Sequence, residues 1–437
     1  MKTTSHKLIR AGSRQRQIFY ARQMSAIKGR SPKLQSGAVK LGQIVVFMLA
    51  LLAFMQLLPC TATGVQAFAE GGNEISAMSV QEGLQQLDFQ VMEEYKRQVD
   101  SEIDNYMGGI SIKQWVIDFV QGKWEFSWTD VMKRLLQLLM KEVVVNSGLL
   151  AKLLVLCVLS ALLMNLQASF STDVARIAHL ACYLALATLA VASFKIVLGI
   201  GQDTISNMVG FMTAMLPQML VLTAGLGNLN TAAMLFPMLM TTATALGNAI
   251  NSIVFPLILI SAIVSIINHM SASIKLQRLG KFFTQIAQVA LGFFLTLFVG
   301  MVTMRALYAA VLDKTALRAT RFVSDNALPV IGKMFSDTIE VVAGYVVMLK
   351  QALGVLGVLI ILAMILMPIV KVTAIALIYK VAAALAEPLG DARTAAVLES
   401  MSAHLFLMLA AVVAVALMFF VMIAIVAGLS NGWGGMH

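Results

Sequence analysis

Three asparagines provide the first polar groups whose placement suggests a function. Asn228, Asn248 and Asn251 lie within residues 204–274, which contain no Asp, Glu, Lys or Arg. About 20 apolar residues span the hydrocarbon layer as a helix, so this stretch has room for roughly three crossings. Amides inside lipid satisfy neighbouring polar groups or contact water. We therefore expect these side chains to face other helices or a wet cavity.

Three prolines recur in the same stretch at nearly the length of one membrane crossing. Pro217, Pro237 and Pro256 each follow an apolar pair of residues. Proline removes a helix hydrogen bond and frees a carbonyl group, which predicts helix breaks or polar contacts there. Two interpretations stay open. Small and polar residues are common where membrane helices pack tightly, and they also line translocation paths.

A second polar site is predicted in the middle of residues 338–371. Lys350 and Gln351 stand there within an otherwise apolar segment, and Pro368 predicts a kink before Lys371. A cation in the middle of a segment usually faces the bundle interior or water. The alternative is a helix break or a membrane interface at this pair.

Known catalytic and nucleotide-binding patterns are missing from the sequence. It contains no G-x-x-x-x-G-K-[ST] and no H-E-x-x-H, and its five histidines are scattered. We predict no Asp within a membrane span. Glu340 is the acid nearest to a span, and we interpret it as an ordinary charge at the edge of a segment. We therefore expect no enzyme activity, no cofactor and no metal site. Cys60, Cys157 and Cys182 give no disulfide framework or metal-ligand spacing.

The composition is that of a multi-pass membrane protein. Hydrophobic residues make up 59% and charged residues 12% of the chain, whereas soluble domains carry about 25% charged residues. The net charge of +10 indicates membrane orientation and lipid headgroups rather than nucleic acid. The predicted fold is an all-α polytopic membrane protein with an N-terminal signal sequence and a small helical extracytoplasmic region.

Residues 1–69 are predicted to be a basic n-region followed by a signal peptide or signal anchor. They hold ten Lys or Arg and no acid, and an apolar run precedes the Ala67-Phe68-Ala69 pattern. That pattern is typical of signal peptidase cleavage, with an uncleaved anchor as the alternative. The positive flank keeps the start inside and sends Glu70 outside.

Residues 70–147 are predicted to form an extracytoplasmic amphipathic helical region. Apolar residues recur there at helical spacing, and Trp124, Phe126 and Trp128 suggest a membrane-interface belt. A packing face and a partner-binding face are both open for the apolar stripe. A Leu-rich segment, residues 130–145, could lie flat on the membrane.

Residues 148–428 are predicted to be a multi-span domain of about seven to nine helices, followed by a short tail, residues 429–437. Outside the uncharged stretch, we expect spans at residues 149–166, 174–198, 282–304 and 401–426. Residues 338–371 are long enough for more than one crossing, and residues 372–386 form a further short apolar segment. Residues 305–337 read as a polar loop. Lys275, Arg278 and Lys281 mark the cytoplasmic side.

Several short strings, in order from about residue 71 onward, carry a resemblance to a known family. They are residues 297–300, Asp313 with residues 316–318, and residues 328–333, 354–357, 368–371, 378–380 and 387–391, with the three prolines. In this order the chain resembles the stage III sporulation protein AE family of endospore-forming bacteria. The basic head, residues 1–40, departs from the family pattern.

The resemblance implies a membrane subunit of the transenvelope channel or secretion complex that joins mother cell and forespore during engulfment and is required for forespore development after engulfment. It implies the mother-cell membrane around the forespore as the location. The implied partners are other products of the same operon, including a secretion-type ATPase and ring-forming subunits, and a forespore-membrane protein. A stand-alone solute permease and a non-conducting assembly scaffold are the alternatives. The family assigns no catalytic residues.

Overall fold

A computed structural model describes residues 128–170, 173–225, 229–270, 276–327 and 331–428. In these ranges the chain is almost entirely helical and contains no strand. The predicted signal sequence, most of the extracytoplasmic region, and the tail at residues 429–437 lie outside the described residues. The helices are α1 (Trp128–Val145), α2 (Ser147–Phe170), α3 (Asp173–Gly225), α4 (Leu229–Ala249), a π-helical turn (Ile250–Val254), α5 (Phe255–Met270), α6 (Gln277–Ala327), α7 (Ile331–Ala386) and α8 (Ala392–Gly428).

Six of the described helical stretches are long and apolar enough to cross a membrane. They are Ser147–Asn165, Ile177–Gly225, Ala232–Met270, Gln277–Arg305, Leu353–Ala386 and Ala392–Gly428. A helix satisfies its backbone polar groups internally, which is why apolar helices can enter lipid. The prediction of an all-α, multi-pass protein is confirmed.

The helices are longer than the sequence interpretation assumed. Residues 174–198 and the start of the uncharged stretch were expected to be separate spans, but both belong to α3, which has 53 residues. At 1.5 Å per residue, α3 is about 80 Å long. Asp203 lies near its middle, so the expectation that no Asp lies within a span is also wrong.

The polar stretch at residues 305–337 is largely helical and is not the loop that we expected. Helix α6 continues through it to Ala327, and α7 begins at Ile331. The expected spans at residues 338–371 and 372–386 are likewise one helix, α7, of 56 residues. Good helix formers in this stretch, such as Ala, Leu, Arg and Lys, outweigh its polarity.

Helices α4 and α5 form one continuous rod that is interrupted only by the π-helical turn. In that turn the Phe255 N–H donates to the Ile250 carbonyl, five residues back. Pro256 follows at once, and its missing N–H already prevents the α-helical bond to the carbonyl of Ser252. A wider turn at this position is the local consequence.

Helix α8 is the centre of the bundle and packs against α3, α5, α6 and α7. Gly201 of α3 lies against Val412, while Gly354 of α7 lies against Ala427. Along α7 the next close glycine, Gly357, contacts both α3 and α8. From Gly354 to Gly357 the neighbour on α3 changes from Met219 to Met215 and the neighbour on α8 from Ala427 to Ile423, so α7 runs antiparallel to both helices and α3 runs parallel to α8.

Glycine also allows α4 to approach α3 closely. A Cβ atom at Gly247 would overlap Cγ2 of Val209 and would lie 3.6 Å from Cγ2 of Ile205. Because a valine side chain is stiff at χ1, it cannot move aside easily. The crossing of α3 and α4 therefore depends on the absence of a side chain at position 247.

Candidate functional site

A polar face lies on α3, α4 and the π-helical turn, on the outside of the described bundle. It consists of Asp203, Ser206, Asn207, Asn248, Asn251 and Ser252. All are exposed except Asn251, which is half-buried. The residues recur three or four positions apart on each helix, which places them on one side of it. The close crossing at Gly247 brings the two rows together.

Few of these side chains have partners within the chain. The Asn251 amide donates to Ser206 Oγ at 3.5 Å, a long contact, and its Oδ1 atom is buried without a hydrogen bond. In the part of the chain that the structure describes, Asp203, Asn207 and Asn248 form no side-chain hydrogen bond or ion pair. Polar groups without partners in an apolar helix need water or a second protein.

The polar face contains two of the three asparagines singled out from the sequence. Asn248 and Asn251 come together there, whereas Asn228 lies outside the described residues. Helices α3, α4 and α7 continue without a break through Pro217, Pro237 and Pro368, respectively. Among the four prolines singled out from the sequence, only Pro256 lies next to a departure from α-helix, which is the π-helical turn.

Lys350 and Gln351 also lie inside a continuous helix, α7. The Lys350 side chain is fully buried and its Nζ atom has no hydrogen bond in the described chain. Gly354, one turn further along α7, packs against Met219 and Ala427. Because α7 is antiparallel to α3 and α8, Lys350 is level with the C-terminal ends of both helices. Their carbonyl groups form the negative end of each helix dipole, which favours a cation.

A second polar cluster, which the sequence analysis missed, joins α5, α6 and α8. Ser261 Oγ lies 2.9 Å from His404 Nε2, 2.5 Å from Thr284 Oγ1 and 2.9 Å from the Gly280 carbonyl. Thr284 Oγ1 donates to the same carbonyl at 3.1 Å. The other ring nitrogen of His404, Nδ1, lies 2.7 Å from the Ser400 carbonyl. A carbonyl only accepts, so Nδ1 carries the proton of a neutral ring.

This serine–histidine cluster holds helices together. Ser261 is fully buried between these helices. A further bond of 2.6 Å joins Ser265 and Ser400 between the same two helices, α5 and α8. Polar residues four apart, Ser261 with Ser265 and Ser400 with His404, were the sequence signal that could have predicted it.

The turn between α7 and α8 ends in a buried carboxylate. Residues 387–390 form a β-turn in which the Gly390 N–H donates to the Glu387 carbonyl at 3.1 Å. Gly390 has φ of +90°, a conformation that glycine adopts without strain. Asp391 follows as the N-cap of α8. Its carboxylate accepts hydrogen bonds from the Thr394 N–H at 3.0 Å and from the Thr394 hydroxyl at 2.5 Å.

Asp391 also ties α2 to this turn, because Ser160 Oγ donates to the same carboxylate. Burial alone would raise the pKa of Asp391. The hydrogen bonds from Ser160 and Thr394 outweigh burial, and His179 acts in the same direction, so the pKa lies below its ordinary value of 3.8. The carboxylate is thus ionised and anchors two helices.

The apolar helices, their internal polar clusters and the polar face define a multi-pass helical membrane protein. The family model described as stage III sporulation protein AE matches residues 110–430. The chain is similar to stage III sporulation protein AE of Bacillus subtilis (strain 168), with 33% identity over 335 residues, which cover 76% of this chain and 84% of the relative. The chain belongs to the stage III sporulation protein AE family, which supports a role in sporulation. No solved structure matches it.

Proposed function

We propose that this protein is the membrane subunit of a sporulation-specific channel or secretion complex that links mother cell and forespore. Its polar face would line a water-filled path. The observation that supports this proposal is a carboxylate and two amides, at Asp203, Asn207 and Asn248, exposed on mostly apolar helices without partners in the described part of the chain. An acid within a membrane helix marks a functional site by default, because lipid does not solvate it.

The resemblance to the family supports the cellular setting of the proposal. The protein would reside in the mother-cell membrane that surrounds the forespore. Its partners would be other proteins of the same operon, including a secretion-type ATPase and ring-forming subunits, together with a protein of the forespore membrane. This subunit would supply membrane structure and catalyse no reaction itself. Energy for transport would come from the ATPase.

Cysteine accessibility tests whether the polar face is wet. In a background without Cys60, Cys157 and Cys182, Asn248→Cys and Asn251→Cys should react with a charged, water-soluble thiosulfonate reagent in intact membranes. Val221→Cys on α3 is the matched control, since Val221 is 70% exposed in the single chain but apolar. We expect the control to react at least about tenfold more slowly, because thiolate and reagent both require water.

Uniform protection at positions 248 and 251 would contradict the water-filled path. If the complex still assembled in those variants, the result would favour a non-conducting scaffold. Reaction at both positions in a protein that sits evenly in vegetative membranes would instead favour a stand-alone permease.

A further inference from the structure

The polar face lies at mid-height in two of the membrane spans. Asp203 is two residues past the midpoint of Ile177–Gly225, and Asn251 is the midpoint of Ala232–Met270. At this depth lipid solvates neither ions nor free polar groups. An ionisable residue near the middle of a span therefore indicates a site for an ion or a polar solute.

Two close helix contacts enclose the polar face. At one end Gly201 lies against the Phe255 ring, where an added Cβ atom would be 3.1 Å from Cζ. At the other end Gly247 lies against Val209. All six polar residues lie between these contacts, within a length of about 12 Å on each helix. The polar groups of the two rows are thus gathered in one short stretch of the crossing.

The π-helical turn adds a main-chain oxygen atom to this stretch. The Phe255 N–H donates to the Ile250 carbonyl, and Pro256 has no N–H group. The Asn251 carbonyl is thereby deprived of the donor four residues on and of the donor five residues on. The side-chain Oδ1 atom of Asn251 is also buried without a hydrogen bond. One residue therefore offers two oxygen atoms that no backbone or side-chain donor of the described residues satisfies.

The polar stretch carries one negative charge. Asp203 is the only acid between the two glycine contacts, and no Lys or Arg lies there. Lys195, the nearest cation on α3, is about 12 Å away along the axis and forms no ion pair with Asp203. A monovalent cation would balance the carboxylate, whereas a divalent ion would leave a positive charge in the membrane. Oxygen ligands of these types favour hard cations.

We propose that the polar face binds a monovalent alkali-metal cation, with Na⁺ as the probe. The ligands are the Asp203 carboxylate, the side-chain oxygens of Asn207, Asn248 and Asn251, and the Asn251 carbonyl, with water on the open side of the face. Transporters hold Na⁺ near the midplane by carbonyl groups of interrupted helices, which is the same chemistry. The site rests on the proposed function in one respect, because the cation must arrive through water.

Binding of radioactive sodium ions to the full-length chain in lipid nanodiscs tests the site, since nanodiscs enclose no lumen that traps ions. N-methylglucamine chloride keeps the ionic strength constant. We expect saturable binding to the natural chain and binding about tenfold or more weaker to Asp203→Asn, because ligand charge sets cation affinity. Glu399→Gln is the matched control, since Glu399 is an exposed acid on α8. It should bind sodium as the natural chain does.

A second variant tests the main-chain ligand without changing any ligating side chain. Pro256→Ala restores an N–H group that can pair with the freed carbonyl, so sodium binding should be about fivefold weaker, the equivalent of one hydrogen bond. Pro237→Ala, within the unbroken helix α4, is its control and should leave binding unchanged. Alanine favours helix more than proline does, and melting temperatures show that each variant is folded.

Three results would overturn the proposal. The first is a folded natural chain without saturable sodium binding, and the second is a folded Asp203→Asn that binds sodium as tightly as the natural chain. The third is unchanged binding in Pro256→Ala, which would overturn the role of the π-helical turn. Thiol reaction at positions 248 and 251 without sodium binding would reject the cation site and leave the water-filled path. Protection of both positions would reject the path, and the cation site with it.

Discussion

Replacing Asp391 by alanine should lower the free energy of unfolding by about 2–4 kcal/mol. The carboxylate caps α8 through the Thr394 N–H and also accepts from Ser160 of α2. Its removal deprives the N-terminus of α8 of a cap and leaves the buried Ser160 hydroxyl without this acceptor. The measurement is the unfolding midpoint of the purified protein during titration of mixed micelles with a denaturing detergent.

Glu399→Ala is the matched control for Asp391→Ala, because Glu399 is an exposed acid on the same helix, α8. A surface substitution of this kind usually changes stability by less than about 0.5 kcal/mol. Asp391→Asn should fall between the two, since asparagine caps a helix but lacks the charge. Equal midpoints for Asp391→Ala and Glu399→Ala would contradict the anchoring role.

The same carboxylate gives a pH dependence with a defined sign. Its pKa is lower in the folded state than the ordinary value of 3.8, so near that pH the unfolded chain binds more protons. The contribution of Asp391 is then fully present above the ordinary pKa and disappears as the pH falls through the folded pKa. We expect the stability difference between the natural chain and Asp391→Asn to be constant above about pH 5 and to shrink below about pH 4.

Replacing His404 by leucine should cost about 1–3 kcal/mol, because the ring links α5 to α8. The variant removes the contact between Nε2 and Ser261 Oγ, at 2.9 Å, and leaves the fully buried Ser261 hydroxyl without this partner. His404→Gln retains a donor and an acceptor and should recover part of the loss. The same detergent titration measures all three proteins.

His269→Leu is the control for this effect. His269 lies at the end of α5. Within the described residues its only hydrogen bond joins Nδ1 to the Ser265 carbonyl of the same helix, at 2.6 Å. Its replacement leaves the link between α5 and α8 in place and should cost less than His404→Leu. A larger loss at position 269 would show that the serine–histidine cluster does not join the helices.

The sequence predicts the helical, multi-pass fold because apolar length alone decides it. Residues 204–274 carry no charge over several helix lengths, and such a segment is stable only in lipid or in a protein core. Helix boundaries were less predictable. Pro217 did not end α3, because membrane helices tolerate the carbonyl that proline frees when neighbours satisfy it.

Contacts between distant helices could not be predicted from one sequence. Ser261 and His404 are 143 positions apart, and nothing local shows that their helices are neighbours. Asp391 lies in residues 387–391, one of the strings on which the family resemblance rests. Its hydrogen bond with Ser160, 231 positions away, gives a structural reason for an aspartate at this position. Asn248 and Asn251 were identified from residue type, while Asp203 and Asn207 joined them only after α3 proved continuous.

The interior of the helix bundle is rigid, whereas part of its exterior is uncovered. Asp391 and the serine–histidine cluster hold the helices around α8 together, so the polar face lies on a stable helix bundle. Asp203, Asn207 and Asn248 on the polar face have no side-chain partner in the described residues. Such a face is what the proposed water-filled path requires.

The most direct measurement is the fate of a fluorescent fusion in sporulating cells, together with a deletion of the gene. We expect the fusion to accumulate around the engulfed forespore, and we expect forespores without the protein to collapse or stall after engulfment. A fusion spread evenly through vegetative membranes, with normal spores in the deletion strain, would contradict it.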